Sequence, residues 1–376
     1  MLHRHPSLWS YILEWDALAA KGKKWTWLND REVVLLDPEL ILDVLNDRTG
    51  RYEDQSAFFR TSSRAPLCPR LRRQMSGSLM RVLSANKLCP SRTVPALVGS
   101  AHRVPGLGVR LVSMMFTEEL GLNLNGAGEI VDEYLRKIIV EHDLLGTRLV
   151  RVNRLFTGLV SRLADWLKFE YQAQDPPRNI FDVALSGLPE LDHTEAAELA
   201  LRLALSVTGF TGVALEWALV HGSEDVEHKN ALSRFGAHNV LRESQRLLPT
   251  AWRLVRRAST DHSYGDLRIP AGTTVILSTA TGQRNESEWS NGSSLCPSRW
   301  NESAPANFYI PFGQGANSCP AKILAPRIIS ETVLAISKKA TVSFASRQPR
   351  KPTVGSLLGL PRGRITFHVR ATRAER

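Results

Sequence analysis

The spacing of apolar residues predicts helices over most of the first 250 residues. Within residues 30–60, "REVVLLDPELILDVL" combines a short apolar strand, a D-P turn and an amphipathic helix. From residue 65 to about 250, apolar positions recur mostly at helical spacing. Asp192, with Glu195 three residues later, predicts a capping box that opens a long helix ending near Val220.

The pattern changes after a further helical segment at residues 230–248. Residues 264–279 alternate apolar and polar positions around a P-A-G turn, which is typical of strands, and residues 355–369 predict a terminal hairpin. No internal repeat, low-complexity tract or composition break marks a linker. The pattern therefore predicts a mainly α protein with a smaller β portion.

Composition and length indicate a soluble globular protein. With 376 residues, 43% of them hydrophobic, the chain can bury a sizeable core, and length alone permits one large domain or two or three ordinary ones. The first 25 residues carry charge throughout, unlike a signal peptide. The apolar stretch 203–220 contains Glu216 and follows Arg202, which favours a buried helix over a membrane span. We expect a cytoplasmic protein.

The formal charge of +11 indicates a basic surface, from 48 Lys and Arg against 37 Asp and Glu. Its arginines are dispersed and no nucleic-acid module is present, so we expect no nucleic-acid partner. Two interpretations stay open: a solvated basic surface without a specific partner, or a docking face for an acidic protein.

The four cysteines, Cys68, Cys89, Cys296 and Cys319, are each followed by proline, and no two have C-x-x-C spacing. This pattern favours reduced thiols over disulfides or a structural zinc site. Cys319 differs from the others because it ends the glycine-rich stretch "FYIPFGQGANSCPAK", residues 308–322. The glycines there permit close backbone approach, and a helix predicted directly after Cys319 would stabilise a thiolate.

This stretch resembles the haem-binding loop of the cytochrome P450 family, F-x-x-G-x-R-x-C-x-G. The matching positions are Phe312, Gly315, Asn317, Cys319 and Ala321. The resemblance implies that Cys319 is the axial ligand of the iron of haem b and that the loop, with Gly313, cradles the cofactor. It also implies a single mainly α domain over residues 1–376.

Four further segments resemble the family in its order along the chain. Glu243 and Arg246 match the E-x-x-R helix, and "LCPSRW" resembles the segment that supplies Arg299 as the third member of a Glu-Arg-Arg cluster. For Glu243 and Arg246 alone, an ordinary surface ion pair is the alternative. "CPRLRRQMSG" resembles the early helix, and the resemblance makes Arg72 and Arg256 the candidates that bind the two haem carboxylates.

The cysteine loop and the early helix each depart from the family's pattern at one position. The loop arginine is replaced by Asn317, and the histidine that often starts the early helix is replaced by Cys68, which we interpret as a packed residue. We therefore expect weakened contacts to the haem carboxylates. The N-terminal lead and the loop that covers the distal pocket are expected to be short, and Pro326 to shorten the helix after Cys319.

The largest departure lies in "VTGFTGVALEWAL", which resembles the oxygen-activating helix. Gly209 and Phe210 occupy the positions of the family's acid and alcohol. Thr211 either takes over the alcohol's role or is an ordinary helix residue. Successive residues of an α-helix point about 100° apart around its axis, so Thr211 can take over from position 210 only where the helix is locally distorted. We expect that consumption of reductant is poorly coupled to product formation, with much of the reducing power lost as hydrogen peroxide. Gly209→Glu with Phe210→Thr should improve this coupling.

The resemblance implies a haem-thiolate monooxygenase that inserts one oxygen atom from O2 into a small organic, possibly carrier-bound, substrate of secondary metabolism. It also implies a ferredoxin-type electron donor. The altered helix keeps two alternatives open. One is a haem enzyme of the same fold that uses peroxide or catalyses a rearrangement, and the other is a non-catalytic binding protein.

Overall fold

The computed structural model describes residues 8–54, 67–85, 97–144, 149–188, 190–223, 231–301, 308–345, 353–354, 359–361 and 363–369. Helices account for most of this structure. The main α-helices and helical continuations are Leu8–Ala20, Pro38–Asn46, Pro69–Ala85, Leu107–Met115, Ala127–Glu133 followed by Tyr134–Leu144, Leu149–Phe169, Ile180–Leu185, His193–Leu205, Thr211–Gly222, Ala231–Leu247, Thr279–Gly282 and Leu324–Lys339. The mainly α architecture with a smaller β portion is confirmed.

Twelve short strands are described. They are β1 (Trp25–Asn29), β2 (Glu32–Leu35), β3 (Tyr52–Asp54), β4 (Ala101–Val104), β5 (Leu254–Ala258), β6 (His262–Tyr264), β7 (Leu267–Ile269), β8 (Thr274–Leu277), β9 (Ala340–Ala345), β10 (Thr353–Val354), β11 (Gly359–Leu360) and β12 (Gly363–Val369). The largest sheet has the order β1-β2-β8-β5-β3, with β2 and β8 parallel. The second has the order β4-β12-β9 and is antiparallel.

The predicted terminal hairpin at 355–369 is wrong. Strand β12 pairs with β9 and β4, and β11 pairs with β10, so the strands of this segment belong to different sheets. The P-A-G turn likewise joins β7, which pairs with β6, to β8, which pairs with β2 and β5. Periodicity identified these strands, but their partners are distant in sequence.

The predicted capping box is confirmed and opens the long helix, which extends over His193–Gly222. The Asp192 carboxylate accepts from the Glu195 N–H at 2.8 Å, and the Glu195 carboxylate accepts from the Asp192 N–H at 3.1 Å. This helix is long and apolar enough to cross a membrane, but 83% of its most apolar window is buried inside the protein. Packing against other helices therefore accounts for its apolar composition.

The early helix, Pro69–Ala85, and the Glu-Arg helix, Ala231–Leu247, form where the sequence predicts helices. The Glu-Arg helix is interrupted at Gly236, whose φ of 80° is not helical. A further helix, Leu324–Lys339, follows Cys319 and is named the cysteine helix below. These three helices, the long helix and the large sheet surround the candidate site.

Candidate functional site

A cavity of about 460 Å³ lies where these elements meet. Its size is within the usual range for a ligand or cofactor site. Apolar side chains predominate, and the polar residues that matter below are Cys319, Asn317, Arg72, Arg256, Asp54 and Thr211. Of the cysteines in the described segments, Cys319 alone lines this cavity.

The cysteine loop has a tight backbone that needs glycine at two positions. The Cys319 N–H donates to the Phe312 carbonyl at 2.8 Å, which closes the loop. Gly313 and Gly315 have φ values of 66° and 74°, which side-chain-bearing residues rarely adopt. A Cβ atom on Gly315 would also overlap the carbonyl oxygen of Leu45. Phe312 and Gly313 line the cavity, whereas Gly315 sets the loop against the helix that carries Leu45.

Two opposing influences set the pKa of the Cys319 thiol. Burial raises the pKa, and a hydrogen bond from the Ala321 backbone N–H together with the charge of Lys322 opposes this shift. The prediction of a helix directly after Cys319 is wrong, because a turn intervenes and the cysteine helix begins at Leu324. Pro326 lies in the first turn of that helix and does not end it. The turn amide, rather than a helix N-terminus, therefore contacts the sulfur.

Glu243, Arg246 and Arg299 lie in one network. Arg246 donates to both oxygens of Glu243, at 2.8 Å and 3.0 Å, and Arg299 Nε donates to Glu243 at 3.1 Å. The side chains of Glu243 and Arg246 have no solvent exposure. The alternative of a surface ion pair therefore does not describe them.

Sequence reasoning missed two further donors to Glu243. The Trp300 indole N–H donates at 3.0 Å and the Cys296 backbone N–H at 2.8 Å. Trp300 adjoins Arg299 in "LCPSRW", so the motif carried a signal for its position. The Glu243 carboxylate thus receives five N–H donors from the Glu-Arg helix and the segment 296–300.

The same network reaches the backbone that leads to Cys319. Arg246 Nη1 donates to the Gln283 carbonyl at 2.9 Å, and the Gln283 side-chain carbonyl accepts from the Ile310 N–H at 2.8 Å. Ile310 is two residues before Phe312, at the start of the cysteine loop. Arg246 therefore fixes the position of the loop through Gln283, which sequence reasoning did not identify.

Arg72 and Arg256, the two candidates for binding the haem carboxylates, both line one edge of the cavity, where Asp54 joins them. Asp54 accepts from Arg256 Nη1 at 3.0 Å and from Arg72 Nη1 at 3.5 Å. Arg72 Nη1 also donates to the Asn317 side-chain oxygen at 2.9 Å. Asn317, in the position of the family's loop arginine, therefore binds Arg72 to the cysteine loop.

The long helix contains the distortion that Thr211 requires. Residues 206–210 form a turn of π-helix between the α-helical segments. Phe210 and Thr211 both line the cavity despite being adjacent in sequence. The Thr211 hydroxyl has no hydrogen bond within the described residues, whereas the nearby Thr208 hydroxyl donates to the Ala204 carbonyl at 2.7 Å. Thr211 therefore presents its side chain to the cavity, and Thr208 behaves as the ordinary helix residue.

Gly209 is not among the residues that line the cavity. A Cβ atom there would lie 2.7 Å from Leu205 Cδ1 and 3.9 Å from Ile139 Cγ2. A glutamate at this position would thus begin in apolar packing against Leu205. The expectation that Gly209→Glu with Phe210→Thr improves coupling stays a prediction, and this packing indicates that the glutamate would cost stability.

Glu216 joins the long helix to the helix Leu107–Met115. The sequence used this residue only as an argument against a membrane span. Its Oε1 accepts from the Gly106 and Gly108 N–H groups, both at 2.8 Å, at the start of Leu107–Met115. Its Oε2 has no hydrogen-bond partner among the described residues. Gly108 and Gly212 pack so closely that a Cβ atom on either would overlap the other's backbone region. Burial raises the pKa of Glu216 to about 7, against the effect of these backbone donors.

This raised pKa predicts a specific dependence of stability on pH. The folded state holds the Glu216 proton more tightly than the unfolded state, so its contribution is fully present below the unfolded pKa of about 4.3. That contribution, roughly 3–4 kcal/mol, is lost as pH rises to about 7. Glu216→Gln should flatten this part of the profile, measured by urea unfolding between about pH 4 and pH 8. An unchanged difference between the ends of the profile would contradict the assignment.

The remaining cysteines lie elsewhere. Cys68 is exposed at the start of the early helix, so the interpretation of Cys68 as a packed residue is wrong. Cys296 is half-buried, with its sulfur 3.2 Å from the Ser298 hydroxyl oxygen. Both are free thiols, as is Cys319, and Cys89 lies outside the described residues.

The residues around the cavity fit a haem. Cys319 offers a sulfur ligand beside a backbone donor, and metal binding favours the deprotonated thiolate. Arg72 Nε is buried without a hydrogen-bond partner in the described part of the chain, at the edge where Arg256 also lies. Guanidinium groups so placed can bind carboxylates, and the apolar walls suit a porphyrin ring.

Comparisons with known proteins agree with this site. The family model "Cytochrome P450" matches residues 237–366, which include the Glu-Arg helix and the cysteine loop. Cytochrome P450-like protein L532 of Acanthamoeba polyphaga mimivirus is 24% identical over 72% of this chain and 61% of that protein. Dimethylnonatriene synthase of Arabidopsis thaliana is 26% identical over 56% of this chain and 48% of that protein. The chain spans about half the length of the curated relatives it matches.

Solved P450 structures share the fold over nearly the whole chain. CYP109E1 from Bacillus megaterium superposes with a TM-score of 0.75 at 14% identity, covering 96% of this chain and 100% of that one. P450 EryK from S. erythraea has a TM-score of 0.70 at 17% identity, covering 97% and 98%. Residues 237–366 therefore match the cytochrome P450 family, and the chain has the fold of solved P450 structures.

Proposed function

We propose that this protein is a haem-thiolate monooxygenase that inserts one oxygen atom from O2 into a small organic substrate. The observation that carries the proposal is the placement of Cys319, Arg72, Arg256 and Thr211 around one cavity. We further propose that residues 1–376 form one domain, that the cofactor is haem b, and that the substrate belongs to secondary metabolism.

Each group around the cavity has a role in holding the cofactor. When bound, haem supplies the activation of dioxygen that no protein side chain provides. Cys319 would bind its iron through sulfur, with the Ala321 N–H stabilising negative charge on that sulfur. Arg72 and Arg256 would bind its carboxylates, and Phe312 and Gly313 would contact its ring through the loop.

The long helix would supply the substrate pocket and a hydroxyl for proton transfer. Phe210, Val207 and Ala214 give this wall an apolar surface that excludes water and suits an apolar substrate. The Thr211 hydroxyl can donate or accept a proton there, because it makes no hydrogen bond to a protein group in the described residues. The π-helical turn at residues 206–210 directly precedes Thr211 and is the kind of local distortion that this role needs.

Thr211→Ala is expected to lower the share of consumed reductant that is used to form product. Proton delivery by a positioned group contributes about 10²–10⁴-fold to the rate of such a step. Losing it should raise the share of consumed reductant that is recovered as hydrogen peroxide. This share can be measured with a surrogate ferredoxin and its reductase, using an apolar probe compound that changes the haem spectrum on binding.

Thr208→Ala is the matched control, since Thr208 lies on the same helix but donates to the Ala204 carbonyl. It should leave the peroxide share near that of the parent. Gly209→Glu should lower the melting temperature and leave coupling no better, because its side chain would meet Leu205. Equal peroxide shares for the Thr211 and Thr208 variants would refute the role of Thr211.

One observation favours a peroxide-using or rearranging haem enzyme as the second candidate. Among the described residues that line the cavity, Asp54 is the only carboxylate, and it is bound to two arginines. An acid beside Thr211 is therefore absent from the described cavity wall. Product formation driven by hydrogen peroxide, at a rate equal to or above that with an electron donor and O2, would favour this candidate.

The basic surface supports a proposed electron donor of the ferredoxin type. Arg70 and Arg73, on the early helix, and Lys322, beside the cysteine loop, are exposed. The bond between Arg72 and Asn317 holds the early helix against that loop, so these cations lie on neighbouring elements. An acidic iron–sulfur protein is electrostatically suited to such a surface. We also propose that the protein is cytoplasmic and that its substrate is either free or bound to a carrier protein.

The experiment that tests the proposal is a spectrum of the purified protein reconstituted with haem. Reduced protein with carbon monoxide should show the red-shifted Soret band that is diagnostic of thiolate ligation. A spectrum typical of a neutral nitrogen or thiol ligand, or no stable haem binding, would overturn it.

A further inference from the structure

Asp54 occupies an unusual place at the arginine-bearing edge of the cavity. Strand β3 pairs with β5 so that Asp54 lies directly opposite Arg256, and the two side chains are bonded at 3.0 Å. The early helix brings Arg72 to the same carboxylate at 3.5 Å. One carboxylate therefore binds two guanidinium groups that come from different elements.

The two guanidinium groups are close enough to repel each other. Burial lowers the pKa of the Arg256 guanidinium, the charge of Asp54 opposes this shift, and the charge of Arg72 adds to it. Both arginine side chains are largely buried, with exposed fractions of 23% for Arg72 and 9% for Arg256. Two buried like charges need a nearby opposite charge, and Asp54 provides it.

A haem carboxylate would provide the same counter-charge from the cavity side. Arg72 Nη1 is already bound to Asp54 and Asn317, whereas its buried Nε has no partner in the described residues. The carboxylates of haem and of Asp54 would then share the same two cations. Negative charges brought together in this way oppose each other.

We propose that Asp54 is an internal counter-ion that stabilises the haem-free protein and, by sharing Arg72 and Arg256 with the cofactor, lowers its affinity for haem. This inference rests on the proposed function, because it assumes that haem binds in this cavity. It assigns Asp54 a part in cofactor retention that is distinct from ligation by Cys319.

The test compares Asp54→Asn with the parent protein in both haem-free and haem-bound forms. The haem-free variant should melt at a lower temperature, since its buried guanidinium groups lose their counter-charge. Its haem should bind more tightly, with a dissociation constant about tenfold lower, because a nearby negative charge is removed. Haem dimethyl ester, which lacks the two carboxylates, should show no such gain.

Glu53→Gln is the matched control, because it removes the same charge from the adjacent position of β3, where the side chain is exposed. It should change the haem dissociation constant little. The double variant Asp54→Asn with Arg72→Gln removes one of the two cations. Compared with Asp54→Asn, its haem-free form should melt closer to the parent temperature, and its affinity for haem should no longer exceed that of the parent. It therefore tests the proposal even where Asp54→Asn alone does not fold.

Weaker haem binding in Asp54→Asn, with an unchanged haem-free melting temperature, would show that Asp54 only orients the arginines and would overturn the inference. In that case the parent protein would still show the thiolate spectrum, and the proposed function would stand. Failure of the parent to bind haem would instead overturn both.

Discussion

Replacing Cys319 by alanine is expected to abolish the red-shifted Soret band of the reduced protein with carbon monoxide. Among the described cysteines, Cys319 alone lines the cavity, and its sulfur accepts a hydrogen bond from the Ala321 N–H. Alanine leaves no group at this position that can bind iron. The band depends on a thiolate ligand, so its loss should be complete.

Cys68→Ala, Cys296→Ala and Cys89→Ala are the controls. Cys68 and Cys296 lie outside the cavity lining, and all three variants should keep the band. A thermal melt of each variant separates loss of the ligand from loss of the fold. A band that survives in Cys319→Ala would show that another group binds the iron.

Replacing Glu243 by glutamine is expected to destabilise the fold severely. The carboxylate receives N–H donors from Arg246, Arg299, Trp300 and the Cys296 backbone. The amide removes the negative charge, and its NH2 group faces donors where an acceptor is needed. Breaking one partner of a buried pair costs about 3–5 kcal/mol, which is a large part of the roughly 5–15 kcal/mol that stabilises a typical domain.

The measurement is urea unfolding of the full chain, followed by the yield of haem-bound protein. Haem retention should fall as well, because Arg246 reaches the cysteine loop through Gln283. Glu331→Gln provides a matched control: the Arg327–Glu331 pair has a similar distance, 2.9 Å, but is exposed. It should cost no more than about 1 kcal/mol. Comparable losses in the two variants would show that burial of the Glu243 network contributes little.

Features set by residues three or four positions apart were predictable from the sequence. The capping box of Asp192 and Glu195, and the pairing of Glu243 with Arg246, depend on one helical turn and need no knowledge of the fold. The cysteine loop was similarly identifiable, because its glycines and its cysteine lie within a few residues of one another.

Contacts between distant segments were decided by the tertiary structure. Asp54 and Arg256 are 202 positions apart, and their bond depends on the pairing of β3 with β5. Glu216 reaches Gly108 across 108 positions because two glycines let their helices approach closely. Strand pairing and helix crossing depend on the packing of the whole core, which periodicity along the chain does not encode.

The long helix shows both kinds of information. Its sequence resembles the family's helix and, in that resemblance, Gly209 and Phe210 stand at the acid and alcohol positions. Regular helix geometry predicts that adjacent residues point about 100° apart, which left the role of Thr211 open. The tertiary structure decided that Phe210 and Thr211 both line the cavity and that a π-helical turn, which changes the helical rotation locally, directly precedes Thr211.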